Sequence, residues 1–107
     1  MIARIWHGWT TPANADGYER LLREEIFPEI EAKNVSGYLG IELLRERERD
    51  GEVEFVTVMH FESIDAVRAF AGDDYETAYV PPAAREVLAH WDVRSAHYQV
   101  KERRTYG

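Results

Sequence analysis

At 107 residues the chain has material for one core and one domain, 1–107, close to the size at which a partner subunit adds noticeably to stability. Hydrophobic residues at 45% and charged residues at 31% exclude disorder for most of the chain, and a net charge of −7 sets up a field that repels nucleic acid and anionic membrane. The absence of cysteine excludes a disulfide framework, thiol catalysis and cysteine-ligated zinc. No apolar run has the length of a membrane span and the N-terminus lacks a basic segment followed by an apolar one, so the expected compartment is the cytoplasm.

Ile2 to Trp9 reads as a strand buried on both faces, with Ile5, His7 and Trp9 on one side and Arg4 and Trp6 on the other. Thr11-Pro12 is a helix start, because proline at the first helical position gives up an N–H that has no partner there. Tyr18, Leu22, Ile26 and Ile30 then recur four apart, with Leu21 and Phe27 widening the stripe. Pro28 removes one hydrogen bond and predicts a kink or an early end. Tyr38 to Arg49 starts apolar and ends in Arg45-Glu46-Arg47-Glu48-Arg49, a run that predicts a solvated, projecting edge. Asp50-Gly51 is a hairpin signal, since both residues tolerate positive φ, and it pairs this strand with the next.

Glu54 to Phe61 is dense in β-branched and aromatic residues and predicts the central strand. Ser63 stands as the N-cap of a helix that keeps Val67, Phe70 and Ala71 on one face, and Gly72 ends it. A loop follows with Tyr75 and Tyr79 four apart. A short helix is expected from Pro82 to about Ala89 with Val87 and Leu88 inward, then a last strand from Trp91 to Val100. Lys101 to Gly107 is expected to be a basic, poorly ordered tail. The order strand, helix, strand, strand, helix, strand predicts an α+β, ferredoxin-like βαββαβ fold with an antiparallel sheet. Helices cover only one face of such a sheet, yet the strands are apolar on both, so a homodimer is expected, with two sheets closing into an α/β barrel.

The run EFVTVMHFESIDAVRAF, the opening IARIWHGWT with its Thr-Pro helix start, and the strand GYLGIELLRE together resemble the antibiotic biosynthesis monooxygenase family of dimeric α/β-barrel proteins. The resemblance spans nearly the whole chain and implies a homodimer with a pocket between sheet and helices in each subunit. Some members oxygenate quinol- or anthrone-like polyketides without metal or flavin, which makes such an oxygenase the expectation here; others degrade haem, and many have no assigned activity. Haem-degrading members place an axial His on the helix after the central strand, where this chain has Phe70, and members commonly have Trp where this chain has His60. The expected cofactor is therefore none.

Cofactor-free oxygenation needs an acidic substrate, a base of near-neutral pKa and a pocket that excludes water. Histidine suits the base. His60 and His7 are the candidate catalytic residues because each interrupts an apolar strand, and Trp6, Trp9, Tyr75, Tyr79 and Phe70 are the candidates for stacking a flat ligand. The competing reading makes each histidine a hydrogen-bonded core or interface residue and the protein a non-catalytic dimeric module that binds a small hydrophobic ligand. His60 and Glu62 share a strand face, but no third ligand completes a set, so no metal is expected. His97 and Tyr98 lie on opposite faces of the last strand, and at most one of them looks into the pocket.

Overall fold

β1 (Ile2–Thr10) is the strand on which the sheet is assembled. In the computed structural model, which describes Met1–Gly107 in full, one long edge of β1 pairs antiparallel with β3 (Val53–Phe61) from Ile2 opposite Phe61 to Thr10 opposite Val53. β2 (Tyr38–Arg45) lies beyond β3. The other edge of β1 takes two short strands, β4 (Leu88–Trp91) near its C-terminal end and β5 (Ala96–Gln99) near its start. The strand order β2-β3-β1-β4 with all pairs antiparallel is the ferredoxin-like arrangement.

The last strand is thus two strands, not the single one expected from Trp91 to Val100. Between them the backbone leaves β1 and bonds to the preceding loop, Ala78 N–H donating to Val93 O at 2.9 Å and Ser95 N–H to Glu76 O at 2.7 Å. The helix before them, α4 (Pro82–Val87), also stops earlier than expected, because Leu88 already has extended backbone and opens β4. α3 (Ile64–Ala71) follows its signals closely. The Ser63 hydroxyl accepts from Ala66 N–H at 3.3 Å, and Gly72 closes the helix at φ 87°.

Pro28 does not end the first helical stretch. α1 (Pro12–Leu21) passes through one wide turn, Leu22–Ile26, into α2 (Phe27–Ala32), and Phe27 N–H reaches back five residues to Leu22 O. That wider turn gives the proline ring room against the preceding carbonyls, so the chain stays helical. In β2 pairing fades after Arg45, whose guanidinium turns back to Asp16 and Glu19, each at 2.9 Å. Asp50 and Gly51, both at positive φ (53° and 78°), make the two-residue turn, with Arg49 and Glu52 exchanging backbone hydrogen bonds across it.

Both hydrophobic clusters lie between the sheet and the helices. Tyr18 and Leu22 pack on Val53, Phe55 and Leu88, with the Tyr18 and Phe55 rings edge to face at 4.9 Å. Met59 and Phe61 meet Ala66 and Val67 of α3. No helix covers the opposite face, where the rows Leu44–Val56–His7 and Glu42–Val58–Ile5–Ala96 run across the strands. Residues 101–107 carry no helix or strand and are exposed.

Candidate functional site

The even-numbered residues of β1 and the odd-numbered residues of β3 face the helices. Trp6 and Thr57, opposite one another, and Arg4 and Met59, the next such pair, floor a cavity of about 450 Å³. Leu22, Ile26 and Ile30 form one wall, Phe70 of α3 another, and residues 77–81 close a third side. The stripe at four-residue spacing on the first helical stretch therefore builds core and cavity wall at once. Most of the lining is apolar, as suits a flat hydrophobic ligand.

Trp6 is held rigidly. Its indole N–H donates to Asp92 O at 2.8 Å, and a Cβ on Gly8 would stand 2.6 Å from its ring, so only glycine leaves the indole this room. Phe70 packs against Phe61 and Tyr38. The Lys33 ammonium stands 4.6 Å over the Phe70 ring and the Arg4 guanidinium 5.9 Å from its centre, so two cations share one aromatic ring.

Arg4 is the principal charged group of the site. It is only 7% exposed, and burial lowers its pKa, yet a guanidinium stays charged in proteins. Its Nη1 donates to Tyr75 O at 2.5 Å and to His97 Nε2 at 3.0 Å. None of the ion pairs in the structure involves it. A buried cation without a counter-charge is costly unless something else supplies one. Burial also raises the Tyr18 pKa and keeps that phenol protonated in the wall.

The residues singled out from the sequence divide between the two faces. Trp6 and Phe70 line the cavity, and Tyr79, 78% exposed, lies on its rim. Tyr75 sits behind Arg4, with its ring edge-on to His97 at 5.0 Å. His60, His7 and Trp9 are on the far face. Met59 and Phe61 turn into the core, so strand alternation turns His60 between them away from the cavity. His7 lies there with its Nδ1 2.6 Å from Glu54 Oε2, and Trp9 stacks on His90 at 4.5 Å. The expectation that His60 and His7 look into the pocket is corrected by this placement. Of His97 and Tyr98, it is His97 that lies on the cavity side, opposite Arg4. Arg4 and Thr57 are not among the sequence candidates, although Arg4 carries a signal like that of His60: an ionisable residue in an apolar strand, on the Trp6 face. No cluster of three or more histidine, aspartate or glutamate side chains is arranged to hold a metal.

No family profile matches the chain, and no curated protein matches it. Solved structures do. A Bacillus cereus protein described provisionally as an antibiotic biosynthesis monooxygenase is 20% identical over 98% of this chain and 97% of that one, with a TM-score of 0.62. MhuD, a heme-degrader from Mycobacterium tuberculosis with two hemes bound in its active site, is 22% identical over 98% of this chain and all of its own, with a TM-score of 0.59. The monooxygenase from ActVA-Orf6 of Streptomyces coelicolor, in complex with the ligand nanaomycin D, is 15% identical over 99% of this chain and 92% of that one, with a TM-score of 0.60. At these identities the likeness is one of fold: the chain is built as antibiotic biosynthesis monooxygenase structures are.

Proposed function

We propose that the protein is a cofactor-independent monooxygenase that holds a flat, acidic aromatic substrate, of the quinol or anthrone kind, in the cavity over Trp6 and Phe70. The observation that carries this reading is Arg4, a buried guanidinium with no carboxylate of its own at the floor of an apolar cavity. Such a charge favours the ionised form of a phenol or an activated methylene, and it is worth more in a dry site than in water. The substrate anion donates electrons to O₂. With an anthrone, one oxygen atom becomes the new carbonyl of the former CH₂ and the other leaves with that carbon's two hydrogens as water; with a quinol, one atom enters a ring C–H as hydroxyl, the ring is left as the quinone, and the other atom leaves as water. Neither reaction needs an outside reductant.

Heme fits this cavity poorly: no histidine lines it, and Phe70 occupies the helix that faces it. Oxygen uptake with anthrone and with a quinol, wild type against Arg4→Gln, tests the proposal. Uptake by the wild type that Arg4→Gln abolishes is expected; no uptake with either compound would leave the non-catalytic ligand-binding module ahead. The lack of a histidine base among the lining residues favours that second reading.

The uncovered sheet face supports a homodimer. Leu44 is 48% and Tyr98 56% exposed there, beside Ile5, Val56 and Val58. At about 25 cal/mol per Å² of apolar surface buried, pairing two such faces is favourable by many kcal/mol. Sedimentation giving a monomer at micromolar concentration would overturn it.

A further inference from the structure

We propose that Arg4 and His97 work as one acid-binding unit: an aromatic ligand with an ionised group docks on Arg4 and in doing so draws a proton onto His97. The inference rests on the reading of the cavity as the ligand site and adds the chemical class of the ligand and the way its binding is coupled to pH.

His97 is the histidine on the cavity side of the sheet, because it pairs directly with Arg4 across β1 and β5. Arginine has no lone pair to offer. The 3.0 Å contact therefore makes His97 Nε2 the acceptor and leaves the proton of the neutral ring on Nδ1, which is buried without a partner. An imidazolium in the same place would take away Arg4's acceptor and set a second cation beside it. Without a ligand the neutral ring is favoured. Burial first, and then the charge of Arg4, hold the His97 pKa below its ordinary value, while Glu76 and the Ser95 backbone pull weakly the other way.

An anion on Arg4 reverses the second of those causes. The other charges around His97 are largely spent. Glu76 is paired with Arg94 at 3.0 Å, and Arg68 stands over the Tyr75 ring at 5.5 Å, with that ring edge-on to the imidazole. Arg4, with five N–H donors and only Nη1 engaged, has free donors to present to the ligand. Protonation of His97 removes the acceptor that holds Nη1 back, so proton uptake and ligand capture favour each other. By reciprocity, lower pH must tighten the binding of an anion whose own charge does not change.

The probe is anthraquinone-2-sulfonate, flat, aromatic and ionised throughout the range used. Its affinity should rise as pH falls from 8 to 6, by at most about tenfold per pH unit for one proton. Calorimetry in buffers of different ionisation enthalpy should show proton uptake on binding near neutral pH. His97→Asn keeps an acceptor for Arg4 but cannot titrate, so its affinity should be flat with pH and its proton uptake nil. Arg4→Gln should weaken binding at every pH. Wild type that binds the sulfonate with no proton uptake, or His97→Asn that keeps the wild-type slope, would overturn the proposal while leaving the cavity as the ligand site. Wild type that does not bind the sulfonate at any pH would sink both together.

Discussion

The two faces of β1 and β3 are matched in composition and opposed in chemistry. On the helix-bearing face the row Ile41–Met59–Arg4–His97 crosses the sheet; on the other the row Gly40–His60–Ala3–Tyr98 does. Each row carries one histidine. On the uncovered face two histidines find carboxylate partners within the chain, His7 with Glu54 at 2.6 Å and His90 with Glu52 at 2.9 Å, while His60 has none. On the cavity face Arg4 is buried with a carbonyl and a neutral imidazole as its hydrogen-bond partners and no counter-charge. A charge that is already paired is satisfied before any ligand arrives, whereas a buried charge without a counter-ion is stable only as part of something still to come.

Removing the charge at the cavity floor should have the largest effect. Arg4→Gln keeps hydrogen-bond donors but not the cation, and loss of the substrate anion's partner should lower kcat/KM by about 10²- to 10³-fold. Steady-state oxygen uptake measures it. Circular dichroism should show the fold retained, because Gln leaves no orphaned charge behind.

A change on the other face should strike assembly first. Ile5→Lys sets a cation directly opposite Val58 and Ala96, with no carboxylate across from it. If two copies pair through this face, burying that cation between the sheets costs several kcal/mol, and sedimentation equilibrium should show association weakened by about 100-fold or more. The protomer's own core, on the far side of the sheet, should keep its far-ultraviolet spectrum. Smaller again is Gly8→Ala. The added methyl meets the Trp6 ring at 2.6 Å and Leu88 at 3.2 Å, and pushes the indole toward the cavity. Overpacking of this kind costs about 1–3 kcal/mol. Thermal denaturation should show a fall in Tm, and KM should rise because the ligand and the displaced ring compete for the same volume.

What could be read in the sequence was whatever local chemistry decides. Thr11-Pro12, Ser63 with Gly72, and Asp50-Gly51 set their elements because caps and turns depend on one or two residues. The strand order followed from the alternation of elements. The cavity face did not, for a physical reason. β3 carries apolar residues at both its odd and its even positions, and although Glu54 and His60 both fall on the even side, only the register of Ile2 on Phe61 ties its odd residues to Arg4 and Trp6. The break in the last strand was hidden too, because it depends on hydrogen bonds from residues 93–95 to residues 76–78, which no local signal encodes. The wide turn before Pro28 is a third case: proline announces a lost bond, but not whether the helix will end or expand around it.

The smallest expected effect is the most discriminating. His60 stands opposite Ala3 on one neighbour and Gly40 on the other, and both partners lie on the uncovered face. No residue of that row lines the cavity. If the cavity is where chemistry occurs, His60→Ala removes no group within reach of the substrate, and kcat/KM should change by less than about twofold, far short of the 10²- to 10⁴-fold loss of a general base. If a second copy covers the face on which the imidazole lies, the change should register instead as a modest shift in the dissociation constant of that pair. Oxygen uptake and sedimentation on one preparation separate the two outcomes. A His60→Ala protein that stays dimeric but loses turnover a hundredfold would place the reacting atoms between the two sheets, on the opposite side of β3 from Arg4.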